Sequence, residues 1–514
     1  MSPSGNIPQP LTEPAPGSAA PPPAPVDKPW RIDLLRALPP LKWLVKRRWF
    51  QFAVVLPNLL FFMLFLTTGV FGTPVGSRNI LIVFVWIFWW FLLISAMVPL
   101  ASRVWCTMCP FPFFGEWIQR GALIRSRGVD PKKAKEGPGV VVGRNRYFGL
   151  NWRWPKALSN LWVQNIGFLF LCTFSAHFLT RPLVSVIVLG GLILVATVLH
   201  LLYRQRAFCN YVCPVSGFLS LYSMTSVVEV RSKEADTCAK CKDKGCLAGG
   251  EKGWGCPWFM YPSKMERNNY CGLCMECVKT CPYDNMTVNL RPFCSDTKIK
   301  GLDEAWKAFI MVTLALVYSV LYLGPWGFLK DWANVFEKGN WAGFFAYVAG
   351  LWVSALVLFP AIYFLPVWAG WRWSRQKPPT IVILGQAPVN PPLKETFLRF
   401  VYPLVPFGMM AWVSFSLPLI LVNGSYIPMV LSDPFGWGWD LFGTAHLAWS
   451  PVVPHWTPYV QVFLLLQGLY FALKQGYRHS VAMYGARNRA LKAFAPVAVL
   501  LTVIEIAFLV LYVG

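Results

Sequence analysis

Between Cys271 and Cys281 the chain reads Cys-Gly-Leu-Cys-Met-Glu-Cys-Val-Lys-Thr-Cys, and Pro282 follows. Three thiolates separated by two residues each can converge on three irons of one four-iron cube, while a fourth cysteine followed by proline turns away to ligate a second. A second ligand set must then lie nearby. Cys238, Cys241, Cys246 and Cys256 precede the run, the last again followed by a proline, Pro257. Exchange of the proline-flanked cysteines assigns Cys238, Cys241, Cys246 and Cys281 to one cluster and Cys271, Cys274, Cys277 and Cys256 to the other. Eight cysteines thus suffice for two [4Fe–4S] clusters and one-electron chemistry.

The first half departs from the usual spacing. Four residues separate Cys241 from Cys246 and nine separate Cys246 from Cys256, so a loop rich in glycine (Gly245, Gly249, Gly250, Gly253, Gly255) is inserted. Paired Cys-x-x-Cys motifs also suit structural zinc. The run ending in Cys-Pro is more specific to a cube than a pair would be.

The elements that must carry these cysteines are apolar. Of 514 residues 55% are hydrophobic and only 14% charged, with a mean hydropathy of +0.46, beyond the ~45–50% apolar share of soluble domains. Candidate spans fall near 50–70, 80–101, 160–178, 182–203, 304–325, 341–368, 397–422, 456–474 and 491–513, each near the ~20 apolar residues that cross a bilayer. Trp86, Trp89, Trp90, Trp368, Trp371, Trp373, Trp437 and Trp439 cluster near span ends, where such rings anchor at the headgroups.

The net charge of +24 is distributed as a membrane protein requires and not as nucleic-acid binding would. Arg120, Arg125, Arg127, Lys132, Lys133, Lys135, Arg144, Arg146, Arg153 and Lys156 lie between spans two and three; Arg372, Arg375, Lys377 and Lys394 between six and seven; Lys474, Arg478, Arg487, Arg489 and Lys492 between eight and nine. The stretch from Asn423 to Pro454 has no Lys or Arg. Positive-inside logic then predicts a cytoplasmic (inner) membrane protein with the amino terminus and cysteine-rich insert in the cytoplasm and the carboxyl terminus outward. A reducing compartment also keeps thiolates available to metal. The first 30 residues hold ten prolines and no hydrophobic signal-peptide core, which predicts a disordered tail.

An internal repeat adds four cysteines. The first helical hairpin ends in Cys106-Thr-Met-Cys109-Pro110, the second in Cys209-Asn-Tyr-Val-Cys213-Pro214. Two hairpins related as parallel repeats would bring all four thiols to one membrane face. Arg103, Arg204 and Arg206 beside them are expected to lower the thiol pKa values. A third cluster, another metal and a dithiol pair all stand open, beside the plainer role of small buried apolar residues.

These two Cys-Pro hairpins followed by a two-cluster insert resemble the NapH/NosR-type membrane-bound polyferredoxins over about residues 45 to 295. The resemblance implies quinol oxidation or quinone-linked electron transfer toward an extracytoplasmic acceptor, with Cys106, Cys109, Cys209 and Cys213 at the hairpin positions and the eight insert cysteines at the cluster positions. The first hairpin motif has two intervening residues where three are common. No flavin-binding domain precedes the first span, and the last five spans have no counterpart in the shorter members.

Glu505 lies inside the last span, where an ionisable group suggests a proton path or a carboxyl paired with a neighbouring helix. Haem is not expected. His177 and His200 should sit at opposite ends of adjacent spans, His446 and His455 in one outer loop and His479 inside, so no axial pair forms. Cys172 and Cys294 read as packing residues. No phosphate loop, dinucleotide fingerprint or hydrolytic triad stands out.

The expected architecture is an all-α polytopic membrane protein of about nine transmembrane helices with a cytoplasmic two-cluster ferredoxin-like insert: tail and basic segment 1–45, hairpins 46–230, insert 231–300, and a membrane domain 301–514. The expected function is membrane iron–sulfur electron transfer, as a quinol-dehydrogenase-like subunit linking quinone, a cytoplasmic ferredoxin- or flavodoxin-like donor and a partner membrane or periplasmic oxidoreductase, with no nucleic acid. A copper reductase or assembly factor and a redox-gated transporter or sensor are the alternatives.

Overall fold

The computed structural model describes residues 30–124, 140–142, 145–204, 206–296, 298–323, 327–376 and 390–513. The proline-rich stretch before residue 30 and basic residues Arg125, Arg127, Lys132, Lys133, Lys135, Arg144 and Lys377 lie outside the described residues. Nine apolar helices organise the rest: α1 (Phe50–Phe71), α2 (Ile80–Ala101), α3 (Trp162–Thr173), α4 (Pro182–Leu202), α5 (Leu302–Tyr322), α6 (Trp341–Trp373), α7 (Leu393–Asn423), α8 (Pro454–Tyr484) and α9 (Arg487–Val513). Among the described residues, all but α3 are long and apolar enough to cross a membrane, which makes this a mostly helical, multi-pass membrane protein.

The third expected span is therefore not one straight helix. The 12 residues of α3 rise only about 18 Å against a hydrocarbon core of about 30 Å. At its end the Thr173 hydroxyl donates to the Leu169 carbonyl, 2.9 Å away, a back-bond that bends helices. Phe174 then leaves helical geometry, and a separate turn covers Ser175–Phe178.

Local chemistry sets the other boundaries. Buried Asn79 caps α2 by accepting from the Leu81 amide at 3.0 Å and ties the hairpin shut by donating to the Thr68 and Thr73 carbonyls. Pro182 opens α4, where its missing N–H costs nothing. Asp303 and Glu304 occupy the first turn of α5, the end of a helix that favours negative charge. α5 and α7 are the most enclosed helices and form the centre. The others turn residues such as Phe61, Leu194, Val357, Phe463 and Val503 outward, as lipid requires.

Between α4 and α5 the insert is built on an antiparallel sheet of β1 (Ile32–Asp33), β4 (Val228–Ser232) and β5 (Met286–Leu290), with β5 in the middle. A separate ribbon pairs β2 (Val140–Val142) with β3 (Asn145–Tyr147). The register pairs Val230 with Val288 and Ile32 with Leu290. Residues just before the first span thus belong to the insert's fold. Asp33 caps the following turn through the Leu35 amide at 2.9 Å. Lys42 and Lys46 reach Asp284 at 2.5 and 2.7 Å.

A buried ionic network joins the sheet to the membrane domain. Arg291 bonds Glu229 at 2.9 Å and Asp296 at 2.5 Å, and Arg231 reaches the same two carboxylates at 3.1 and 3.4 Å. Arg267 grips Glu304 of α5 with two nitrogens at 2.8 and 3.0 Å. Each guanidinium meets carboxylates, so none of these charges is buried uncompensated.

Candidate functional site

The structure brings the insert cysteines together in two groups. Cys238 and Cys241 lie at the end of the short helix Ala235–Lys240, Cys246 in the turn Gly245–Ala248, and Cys281 just past the helix Glu276–Thr280. These four half-buried thiols line one small cavity with Tyr261, Pro282 and Asn285. Three N–H groups point at their sulfurs: Lys244 N to Cys241 at 3.4 Å, Asn285 N to Cys281 at 3.3 Å and Asn285 Nδ2 to Cys238 at 3.3 Å. Burial, then the neighbouring thiols, push the Cys246 thiol up to about 11.

In the second group Cys277 feels Cys271, Cys274 and Cys256, and Cys256 feels Cys274 and Cys271 in return. Cys246 is also within electrostatic reach of Cys277, so the two groups adjoin. The loop is tightly wound. Leu273 and Met275, between successive cysteines, take positive φ of 53° and 61°, a conformation that costs a residue with a Cβ about 1–3 kcal/mol and collects at functional sites. Among the described residues no group of three or more His, Cys, Asp or Glu side chains closes round a single metal ion. A four-iron cube makes a different demand, since irons and sulfides stand between its ligands. Two four-thiol groups with N–H donors aimed at sulfur fit that demand.

The hairpin cysteines also converge. Cys209 feels Cys213, Cys109 and Cys106, and Cys109 feels Cys213 and Cys106. Cys106, Cys209 and Cys213 are buried. The expected acidification by arginine is not found: burial outweighs the nearby cations, pushing the Cys213 thiol up to about 12 and those of Cys109 and Cys209 well above their ordinary value. Two of the three arginines are engaged elsewhere. Arg204 donates to the Asn151 carbonyl at 2.9 Å, and Arg206 pairs with Glu116. Burial alone would raise the Glu116 carboxyl, but Arg120 and Arg206 bring it down to about 2.

The second insert group rests directly on the hairpin ends. The Thr107 hydroxyl donates to the Gly272 carbonyl, Arg103 donates to the Asn269 carbonyl at 2.6 Å, and the Arg103 guanidinium lies 4.4 Å over the Trp258 ring. Cys271 is within reach of Cys106. Gly272 is required by this approach, because a Cβ there would stand 2.4 Å from the indole nitrogen of Trp258.

On the membrane side of the hairpin thiols opens an apolar cavity of about 920 Å³ between α1, α2, α3, α4, α5 and α7. Trp105, the neighbour of Cys106, lines it and packs 4.6 Å from Trp89; Trp86, Trp90, Tyr318 and Trp412 complete much of the wall. Along this wall α2 widens into π-helical turns over Val83–Trp89 and Leu93–Met97, a departure frequent at functional sites. The Ser175 and Tyr322 hydroxyls, 3.1 Å apart, are among its few polar groups.

Other singled-out residues stand apart from these groups. Glu505 is 1% exposed with no hydrogen-bond partner for either oxygen, and it does not line the cavity. His177 packs 4.7 Å from Phe336, and His200 Nδ1 lies 2.6 Å from the Ala196 carbonyl. Cys172 is on the cavity wall, and Cys294 is buried. Sequence reasoning missed Trp258, the cavity and Lys307. A lone lysine inside a span was the available signal for the last.

No protein-family model matches the chain, and no solved structure matches it. Over 160 residues it is 28% identical to a curated protein of Escherichia coli (strain K12) described as "Putative electron transport protein YccM". The match takes in 30% of this chain and spans 40% of that protein's length.

Proposed function

We propose that the chain is an iron–sulfur electron-transfer protein of the cytoplasmic membrane, of the NapH/NosR type, exchanging electrons between two insert clusters and a quinone-class carrier. The observation that carries this reading is the unbroken succession of groups: a first set of half-buried thiols, a second set of half-buried and buried thiols, hairpin ends and a tryptophan-walled apolar cavity. Cys238, Cys241, Cys246 and Cys281 would hold one [4Fe–4S] cluster, and Cys256, Cys271, Cys274 and Cys277 the other. When bound, such clusters supply one-electron oxidation and reduction, at a potential set partly by hydrogen bonds to sulfur and by solvent access.

The chain's own residues do the rest. Asn285 and the Lys244 amide direct N–H groups at sulfur. Gly272 and Trp258 hold the second group against the hairpins. The cavity is walled mainly by apolar side chains and is of a size suited to a small carrier. Exposed Lys240, Lys242 and Lys244 beside Cys238 and Cys241 favour an acidic ferredoxin- or flavodoxin-like donor on the cytoplasmic side. A membrane or periplasmic oxidoreductase would complete the route.

The test is anaerobic purification with iron, acid-labile sulfide and redox-titrated EPR. At least about eight irons per chain, two reducible insert signals and reoxidation by a soluble quinone analogue are expected. Leu189→Trp, which fills the cavity, should slow that reoxidation about tenfold with iron content unchanged. Stoichiometric zinc, or reduced clusters indifferent to quinone, would overturn the proposal and favour metal handling.

A further inference from the structure

Lys307 is 0% exposed, and its ammonium has no hydrogen-bond partner. It sits on α5, 4.2 Å over the Phe168 ring, within electrostatic reach of Cys172 and Cys213. Arg103, 1% exposed, likewise leaves its Nε without a partner, while another of its nitrogens lies 3.8 Å from the Cys106 sulfur. The Ser216 amide points at the Cys213 sulfur at 3.4 Å. Arg206 is different, since Glu116 already balances it. The hairpin thiols are therefore ringed by more buried positive charge than the protein itself neutralises. A buried cation without a counter-charge is costly, and proteins keep such groups where an anion completes them.

We infer that Cys106, Cys109, Cys209 and Cys213 hold a third, anionic iron–sulfur centre whose counter-charge is supplied by Lys307 and Arg103. Four thiolates around iron and sulfide carry net negative charge, and Lys307 and Arg103, neither paired with a carboxylate among the described residues, face it from the α5 side and from the end of the first hairpin. A single metal ion is the poorer occupant, since no group of donors closes tightly enough around one. The inference rests on the electron-transfer reading, because it places a centre between the second insert group and the cavity.

The experiment compares full-length wild type, the quadruple Cys106, Cys109, Cys209 and Cys213 to Ser variant, Lys307→Met and Lys307→Arg, each purified anaerobically. Iron should be about twelve per chain in wild type and about eight in the quadruple variant, which loses one EPR species and keeps two. Lys307→Met should lower the midpoint potential of that one species, because loss of a positive charge disfavours the reduced, more negative centre; Lys307→Arg should restore it. The two lysine variants keep the test alive if the quadruple variant does not fold. About eight irons in wild type, or no species whose potential follows residue 307, overturns the hairpin centre and leaves the insert clusters standing. Loss of signals from the insert cysteines would instead strike the function proposed above.

Discussion

The outer and inner edges of the insert are made of the same ligand type in opposite surroundings. At the outer edge four half-buried thiols sit among exposed lysines, and the tie to the pre-membrane segment is the solvent-accessible contact of Asp284 with Lys42 and Lys46. At the inner edge the thiols press against the hairpins, and the ion pairs of Arg291, Glu229, Asp296, Arg267 and Glu304 are buried. Accessible charge makes the first edge approachable by a soluble partner, and enclosed charge makes the second a joint. Under the proposed function, one insert would both receive and hand on electrons without moving.

Loss of a ligand at the inner edge should have the largest effect. Cys274→Ser is expected to remove about four irons per chain, read by iron analysis; unchanged iron would break the assignment. Next, Arg291→Ala leaves Glu229 and Asp296 to Arg231 and, at Glu229, to Arg31, and the loss of its buried charged hydrogen bonds should destabilise the protein by about 1–3 kcal/mol, read as thermal unfolding in detergent. Gly272→Ala, forced against Trp258, should cost about 1–3 kcal/mol and lower the rate of cluster oxidation by quinone analogue, whereas the same change at open Gly250 should do neither.

The smallest effect belongs to the outer edge. Burial would raise the Asp284 carboxyl, but hydrogen bonds from Lys42 and Lys46 bring it to about 2. Its folded value lies below its unfolded one, so its contribution is present above about pH 4 and is lost as pH falls toward 2. Because the pair is largely exposed, Lys42→Ala with Lys46→Ala should change stability by no more than about 1 kcal/mol. The small difference in stability between that variant and wild type should then be present above about pH 4 and vanish as the pH falls toward 2.

Sequence was informative where spacing or length alone dictates geometry. The run from Cys271 to Cys281 constrains its own loop, and eight spans were legible because crossing a membrane demands an unbroken apolar stretch. The break after Thr173 was hidden, because most residues around it are apolar or small; it coincides with a side-chain back-bond of the kind that bends helices. The strand Ile32–Asp33 was also hidden. It is two residues long and exists only because β5, more than 250 residues later, offers an edge. Lys307 stood in plain view, but its environment comes from α3 and from Cys213, both distant in sequence.

The insert's seating on the hairpins has a kinetic consequence. Arg103 to Asn269, Thr107 to Gly272 and Arg267 to Glu304 fasten it on several sides, and the chain enters and leaves it through the membrane domain itself. No tethered domain has to swing between donor and acceptor. Under the proposed function, transfer inside the molecule would need no domain motion and should be indifferent to the viscosity of the medium, leaving the arrival of the proposed soluble and lipid-borne partners as the steps that diffusion can limit.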